Sequence, residues 1–136
     1  MKTRLFKKVK GFTLPELLVV LVIIGILLLL ALPNLTPLIS RTKSVEAQQQ
    51  LNFVYTMEKD HFYLHSRYSE SLQDIGFEHQ VLVTDGGNAN YKIEVVEATN
   101  NTFVARATAI VDFDGDGTFN VWEINQDKKM VEIVKD

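Results

Sequence analysis

The stretch KGFTLPELLVVLVIIGILLLLAL, residues 10–32, decides how this chain is organised. Residues 17–32 carry no charge, and the apolar character begins earlier, at Phe12 and Leu14. Spanning the hydrocarbon core of a bilayer takes about 20 predominantly apolar residues, a length that residues 12–32 meet if Glu16 is tolerated. Lys2, Arg4, Lys7, Lys8 and Lys10 precede the run with no acid among them. By the positive-inside rule this predicts a cytoplasmic N-terminus.

A secretory signal peptide would end in a small-residue cleavage site, and none of the A-x-A type follows Leu32. A plain single-span anchor accounts for the length and the basic flank but leaves Pro15 and Glu16 unexplained. In an uncut chain Pro15 would break a helix running in from the basic segment, because it lacks an N–H and clashes with the preceding turn. After a cut at Gly11 it falls in the first helical turn, where N–H groups have no intrahelical partner anyway. Glu16 then sits at the edge of an apolar helix, where a carboxylate costs several kcal/mol unless it is paired, so a partner is implied. The alternative is a carboxylate resting in the headgroup zone near the positive end of the helix dipole.

The motif KGFTLPELLVVLVIIG, residues 10–25, resembles the signature of type IV pilins and type II secretion pseudopilins. The likeness continues through Ala31-Leu32-Pro33-Asn34 and Glu46-Ala47, so its specific part covers about the first third of the chain. Pro15 departs from the aliphatic residue often found at its position. The resemblance implies that a prepilin peptidase cuts between Gly11 and Phe12 and methylates the Phe12 amine, while the apolar helix is retained. It also supplies a partner for Glu16, the Phe12 amine of a neighbouring subunit, which would set the register of assembly.

Beyond the apolar run, Pro33 and Pro37 are expected to interrupt the helix, and a mixed pattern resumes from Ile39 to about Leu64. The expectation is one long, locally kinked helix. Ala47, Leu51, Val54, Tyr55 and Phe62 recur at spacings of three and four, one apolar stripe with Gln48, Gln49, Lys59 and Asp60 outside it. An unbroken helix over residues 12–64 would be about 80 Å long. Residues 61–79 read as the loop leaving this spine. Within it Tyr63, Tyr68 and Phe77 are expected to pack, and His61, His65 and His79 to be partly exposed packing residues, since no H-E-x-x-H or comparable ligand spacing accompanies them.

After Gly86-Gly87, residues 91–99, 102–111, 118–125 and 129–134 are rich in Val, Ile, Thr and aromatics, with turn residues between them, as in successive antiparallel strands. Phe103, Ala105, Ala107 and Ala109 alternate with polar or small residues, consistent with one face on the helix. The predicted class is α+β: a long N-terminal helix, membrane-spanning in its first half, on a small antiparallel sheet in a pilin-like layout. The expected divisions are a basic leader at 1–11, a transmembrane and polymerisation helix at 12–33 and a periplasmic domain at 34–136.

Charge and cysteine usage narrow the function. Without the first eleven residues the chain holds nine basic against 17 acidic residues, so it lacks the Lys/Arg face that nucleic-acid phosphates require. There is no cysteine, hence neither a disulfide nor a thiolate metal site. No nucleophile–base pair stands at recognisable spacing, so the chain does not read as an enzyme.

Residues 112–117, DFDGDG, followed by Glu123, match the calcium-loop template D-x-D-x-D-G-x5-E. A hard divalent cation with oxygen ligands would relieve the repulsion among Asp112, Asp114 and Asp116, and Gly117 permits the sharp turn. The expected ligands are these three aspartates, Glu123 and the backbone carbonyl of Thr118, with Asn120 as a further candidate. The flanking ATAIV and VWEIN look like strands, so this is no EF-hand proper, and a solvated Asp/Gly hairpin turn suits the same residues. Within the resemblance, G-type major pseudopilins use a C-terminal calcium site where many pilins use a disulfide.

The resemblance therefore implies a pseudopilin subunit of a type II secretion system. It would be extracted from the bacterial inner membrane and stacked into a homopolymeric periplasmic filament, with an inner-membrane assembly platform and minor pseudopilins as partners. The major subunit of a type IV pilus, or a membrane-tethered calcium-binding module, would share much of this sequence.

Overall fold

The structure is a computed structural model and describes residues 10–32 and 36–136. The basic leader up to residue 9 and the Pro33-Asn34-Leu35 junction lie outside the described residues. The chain divides into two units, one ending at Leu35 and one beginning at Thr36.

The first unit contains α1, Leu14–Ala31, an 18-residue helix with no buried residue. It is long and apolar enough to cross a membrane by length and composition, at about 1.5 Å rise per residue. Thr13 caps its N-terminus, and Pro15 sits in the first turn with residues 1–11 still attached.

The second unit is a helix on a four-stranded sheet. Helix α2 spans Thr36–His65. Pro37 opens it rather than interrupting it, since a proline in the first turn costs no intrahelical bond. The strands are β1 (Tyr91–Ala98), β2 (Phe103–Ala109), β3 (Val121–Asn125) and β4 (Met130–Val134). They form an antiparallel meander in chain order, with a register shift between Val95 and Glu97 and another between Val121 and Trp122. The strands lie close to their expected positions. The third begins at Val121 rather than at residue 118, because Asn120 turns its side chain into the core before pairing starts.

Along β2 the inward residues Phe103, Ala105, Ala107 and Ala109 are buried while Val104, Arg106 and Thr108 are half-buried. Three alanines leave a shallow track, and Ala47, Leu51 and Val54 of α2 fill it with no residual exposure. Tyr55 and Phe62 pack at its margin. Tyr68 and Phe77 of the 66–90 connection are buried as expected, with Tyr68 stacked on Phe62 at 4.8 Å between ring centroids. Tyr63 differs: it lies off the buried face of α2 and is exposed. Two side chains fasten the connection, Glu46 to α2 and His79 to β1. Glu46 accepts from the backbone N–H and the side-chain amide of Asn90, both at 2.7 Å, and His79 Nε2 accepts the Ile93 N–H at 2.9 Å.

Candidate assembly helix and acidic loop

At the start of α1, Thr13 and Glu16 close a reciprocal capping box. The Thr13 hydroxyl accepts the Glu16 N–H at 3.4 Å, and Glu16 Oε2 accepts the Thr13 N–H at 2.9 Å and its hydroxyl at 3.2 Å. Two N–H groups that the helix geometry orphans are thereby satisfied. Within the chain the Glu16 carboxylate is thus hydrogen-bonded to neutral groups of Thr13, one turn back. The carboxylate is held on Thr13, the residue after Phe12, whose amine the family resemblance expects to be freed by a cut after Gly11 and methylated. From Phe12 onward the side chains of this segment are exposed, and Phe12 itself is among the most exposed apolar residues.

The acidic loop follows β2. Gly115 and Gly117, at φ 81° and 88°, adopt left-handed backbone that a side chain would strain. Those bends aim N–H groups at carboxylates. Asp112 Oδ2 accepts from Gly117 at 2.7 Å and its Oδ1 from Gly115 at 2.6 Å. Asp114 accepts from the Asp116 N–H at 3.0 Å, and Asp116 from the Thr118 N–H at 2.6 Å. Carboxylate oxygens of Asp112, Asp114 and Asp116 lie within 4.8 Å of one another.

The electrostatics differ along the loop. The Gly117 N–H, helped by that of Gly115, holds the Asp112 carboxyl below the usual range. The Asp116 N–H favours charge on Asp114, but partial desolvation and the negative charges of Asp116, Asp136 and Asp112 outweigh it and leave that carboxyl raised. Asp136 reaches the loop by accepting the Phe113 N–H at 3.0 Å.

The other expected ligands are placed elsewhere. Glu123 faces Arg106 across β2 and β3, with Arg106 Nε 2.7 Å and Nη2 2.5 Å from Glu123 Oε1. Asn120 is fully buried: its Oδ1 accepts from the Tyr91 hydroxyl at 2.7 Å and from Ser44 at 3.3 Å, and its Nδ2 donates to Glu132 at 2.7 Å and to the Val134 carbonyl at 3.0 Å. Burial pushes the Tyr91 hydroxyl up to about 12. Thr118 stays in the loop, with its N–H on Asp116. The structure therefore brings together the three aspartates with Thr118 adjacent, and gives Asn120 and Glu123 other partners.

Sequence reasoning missed Glu58. It continues the buried face of α2 one turn beyond Val54 and is fully buried. Its Oε2 accepts the Ser69 N–H at 3.0 Å, while Oε1 has no hydrogen-bond partner. Desolvation raises its carboxyl despite the Ser69 bond and the nearby His61. Its i+4 spacing from the core residue Val54 was the one available signal.

The model of the prokaryotic N-terminal methylation motif matches residues 6–32, spanning the capping box and α1. The chain is also 44% identical over 68 residues to the type IV major pilin protein PilA of Myxococcus xanthus (strain DK1622). That match covers 50% of this chain and 31% of the relative, so the chain accounts for under a third of that protein's length. The chain thus carries the methylation motif and is similar, over half its length, to a type IV major pilin. An N-terminal apolar helix followed by a helix on a four-stranded antiparallel sheet fits the pilin-like α+β layout. The motif and the exposed helix also fit anchoring in an inner membrane.

Proposed function

We propose that this chain is a pilin-type structural subunit, not an enzyme, cut by a prepilin peptidase between Gly11 and Phe12, methylated at Phe12 and polymerised through α1. The observation that carries the reading is the combination of the methylation motif with an apolar helix exposed along its described length. Such a surface calls for lipid before assembly and for neighbouring copies afterwards. Glu16, already presented at the helix start, is the residue that a neighbour's Phe12 amine would engage. In this reading residues 1–11 are a cytoplasmic leader, 12–33 the membrane and polymerisation segment, and 34–136 a periplasmic domain.

The finer reading is a pseudopilin of a type II secretion system, drawn from the inner membrane by an assembly platform together with minor pseudopilins. The acidic loop favours it: three carboxylates gathered in a chain without cysteine suit one calcium ion held by Asp112, Asp114, Asp116 and the Thr118 carbonyl. The second reading is the major subunit of a type IV pilus, favoured by the likeness to a type IV major pilin.

Mass spectrometry of the membrane-extracted protein from a host with its own prepilin peptidase tests the processing. The expected mature chain begins at methylated Phe12. A mass that still includes residues 1–11 would overturn the proposal. Deleting the gene separates the two finer readings: exoproteins retained in the periplasm mark the pseudopilin, and lost surface fibres mark the pilus.

A further inference from the structure

Helix α2 ends with two histidines one turn apart, His61 and His65, on the same helix face at i and i+4. Their ring centroids are 4.4 Å apart. His61 is half-buried and His65 exposed, so the pair is open to solvent on one side.

The chain orients the first ring. Ser66 takes a left-handed conformation, φ 55°, and its N–H closes on the Phe62 carbonyl at 2.7 Å. The turn brings the Arg67 carbonyl back over the helix end, 2.9 Å from His61 Nδ1. A carbonyl can only accept, so Nδ1 carries the proton and Nε2 keeps its lone pair. This is the arrangement by which metal-binding imidazoles are held, with the second nitrogen donating to a backbone carbonyl. Unsatisfied carbonyls give the last turn of a helix partial negative charge, which favours a cation at its end. Among the described residues no third histidine or carboxylate joins the pair, so water would complete the coordination.

We propose that His61 and His65 form a two-imidazole site for one borderline divalent transition-metal ion of the zinc or copper class. Imidazole suits these ions, with metal–nitrogen bonds of about 2.0–2.1 Å for zinc. The acidic loop, all oxygen, suits the hard calcium ion instead. The histidine site does not depend on the filament reading, because it needs only the end of α2 and its turn.

The test uses the full chain in detergent micelles, stripped of metal. Zinc affinity is measured by competition with a chromogenic chelator, and copper coordination by electron paramagnetic resonance. The expected result is one equivalent bound with nitrogen ligands, weakened about tenfold or more in His61→Gln and in His65→Gln. His79→Gln and the double variant Asp114→Asn/Asp116→Asn should bind as the wild type does. Affinity unchanged in both single histidine variants, a copper signal without nitrogen coupling, or loss of binding in the aspartate variant would each overturn the proposal.

Discussion

The Tyr91 hydroxyl donates to Asn120 Oδ1 at 2.7 Å in the interior of the second unit. Through the same amide, α2 is tied at Ser44 and β4 at Val134. Asn120→Ala would leave the buried Tyr91 hydroxyl without its acceptor and remove a donor from the half-buried Val134 carbonyl. We expect a loss of about 1–3 kcal/mol, the cost of one unsatisfied buried group. Urea melts of the detergent-solubilised chain measure it. The loss should be the same in calcium and in chelator; a loss seen only in calcium would return Asn120 to the ion's ligands.

Calcium should raise the melting temperature of the full chain, because a ligand that binds only the folded state stabilises it by mass action. Magnesium should do so less, as it demands tighter octahedral geometry. Asp114→Asn with Asp116→Asn should abolish the shift and melt no lower than the wild type in chelator. Glu123→Gln should keep the calcium shift while losing a fraction of a kcal/mol from its cross-strand pair with Arg106. Identical melting of the wild type in millimolar calcium and in chelator would reduce the loop to a hairpin turn.

Glu16 caps α1, and the assembly role proposed for its charge can be separated from the cap by substitution. Glutamine can complete the capping box without carrying charge, whereas alanine removes both functions. Glu16→Gln and Glu16→Ala should both insert in the membrane, and both should impair filament formation seen by electron microscopy. Normal filaments from Glu16→Gln would mean that the cap, not the charge, is what assembly needs.

Glu58 predicts a pH effect. Its folded pKa is raised above 4.5, so between that value and the folded one the native state holds more protons than the unfolded chain. Stability from this group is therefore fully present below pH 4.5 and is lost as pH rises through the folded pKa. Glu58→Gln, which can still accept the Ser69 N–H, should be more stable than the wild type at pH 7, with the gain shrinking toward pH 4. Equal stability differences at both pH values would show that Glu58 ionises in the fold as freely as in water.

Much of this arrangement was legible because periodicity is a local property. The three- and four-residue spacing of Ala47, Leu51 and Val54 and the two-residue spacing of Phe103, Ala105, Ala107 and Ala109 mark faces that meet in the core. Glu58 escaped because a charged residue normally closes a stripe, and only the connection folding back to offer the Ser69 N–H lets the stripe continue. Glu123 fits the calcium template by count. That template assumes a helix after the loop to swing the twelfth residue inward, whereas β3 advances about 3.3 Å per residue and carries Glu123 to the opposite face from Ile124. His61 and His65 were set aside for want of a known motif, yet what distinguishes them is the Arg67 carbonyl, which no spacing rule reveals.

The chain-order meander has a kinetic consequence. Every strand pairs only with its immediate predecessor or successor, and the joins are short except for the acidic loop between β2 and β3. Closing such loops costs little entropy, so the sheet can zip hairpin by hairpin as the polypeptide is made. The larger search is the return of the Tyr68–Tyr91 region and the alanine track onto α2. A chain built this way can start folding before its synthesis is complete, limiting the time its apolar strands spend exposed.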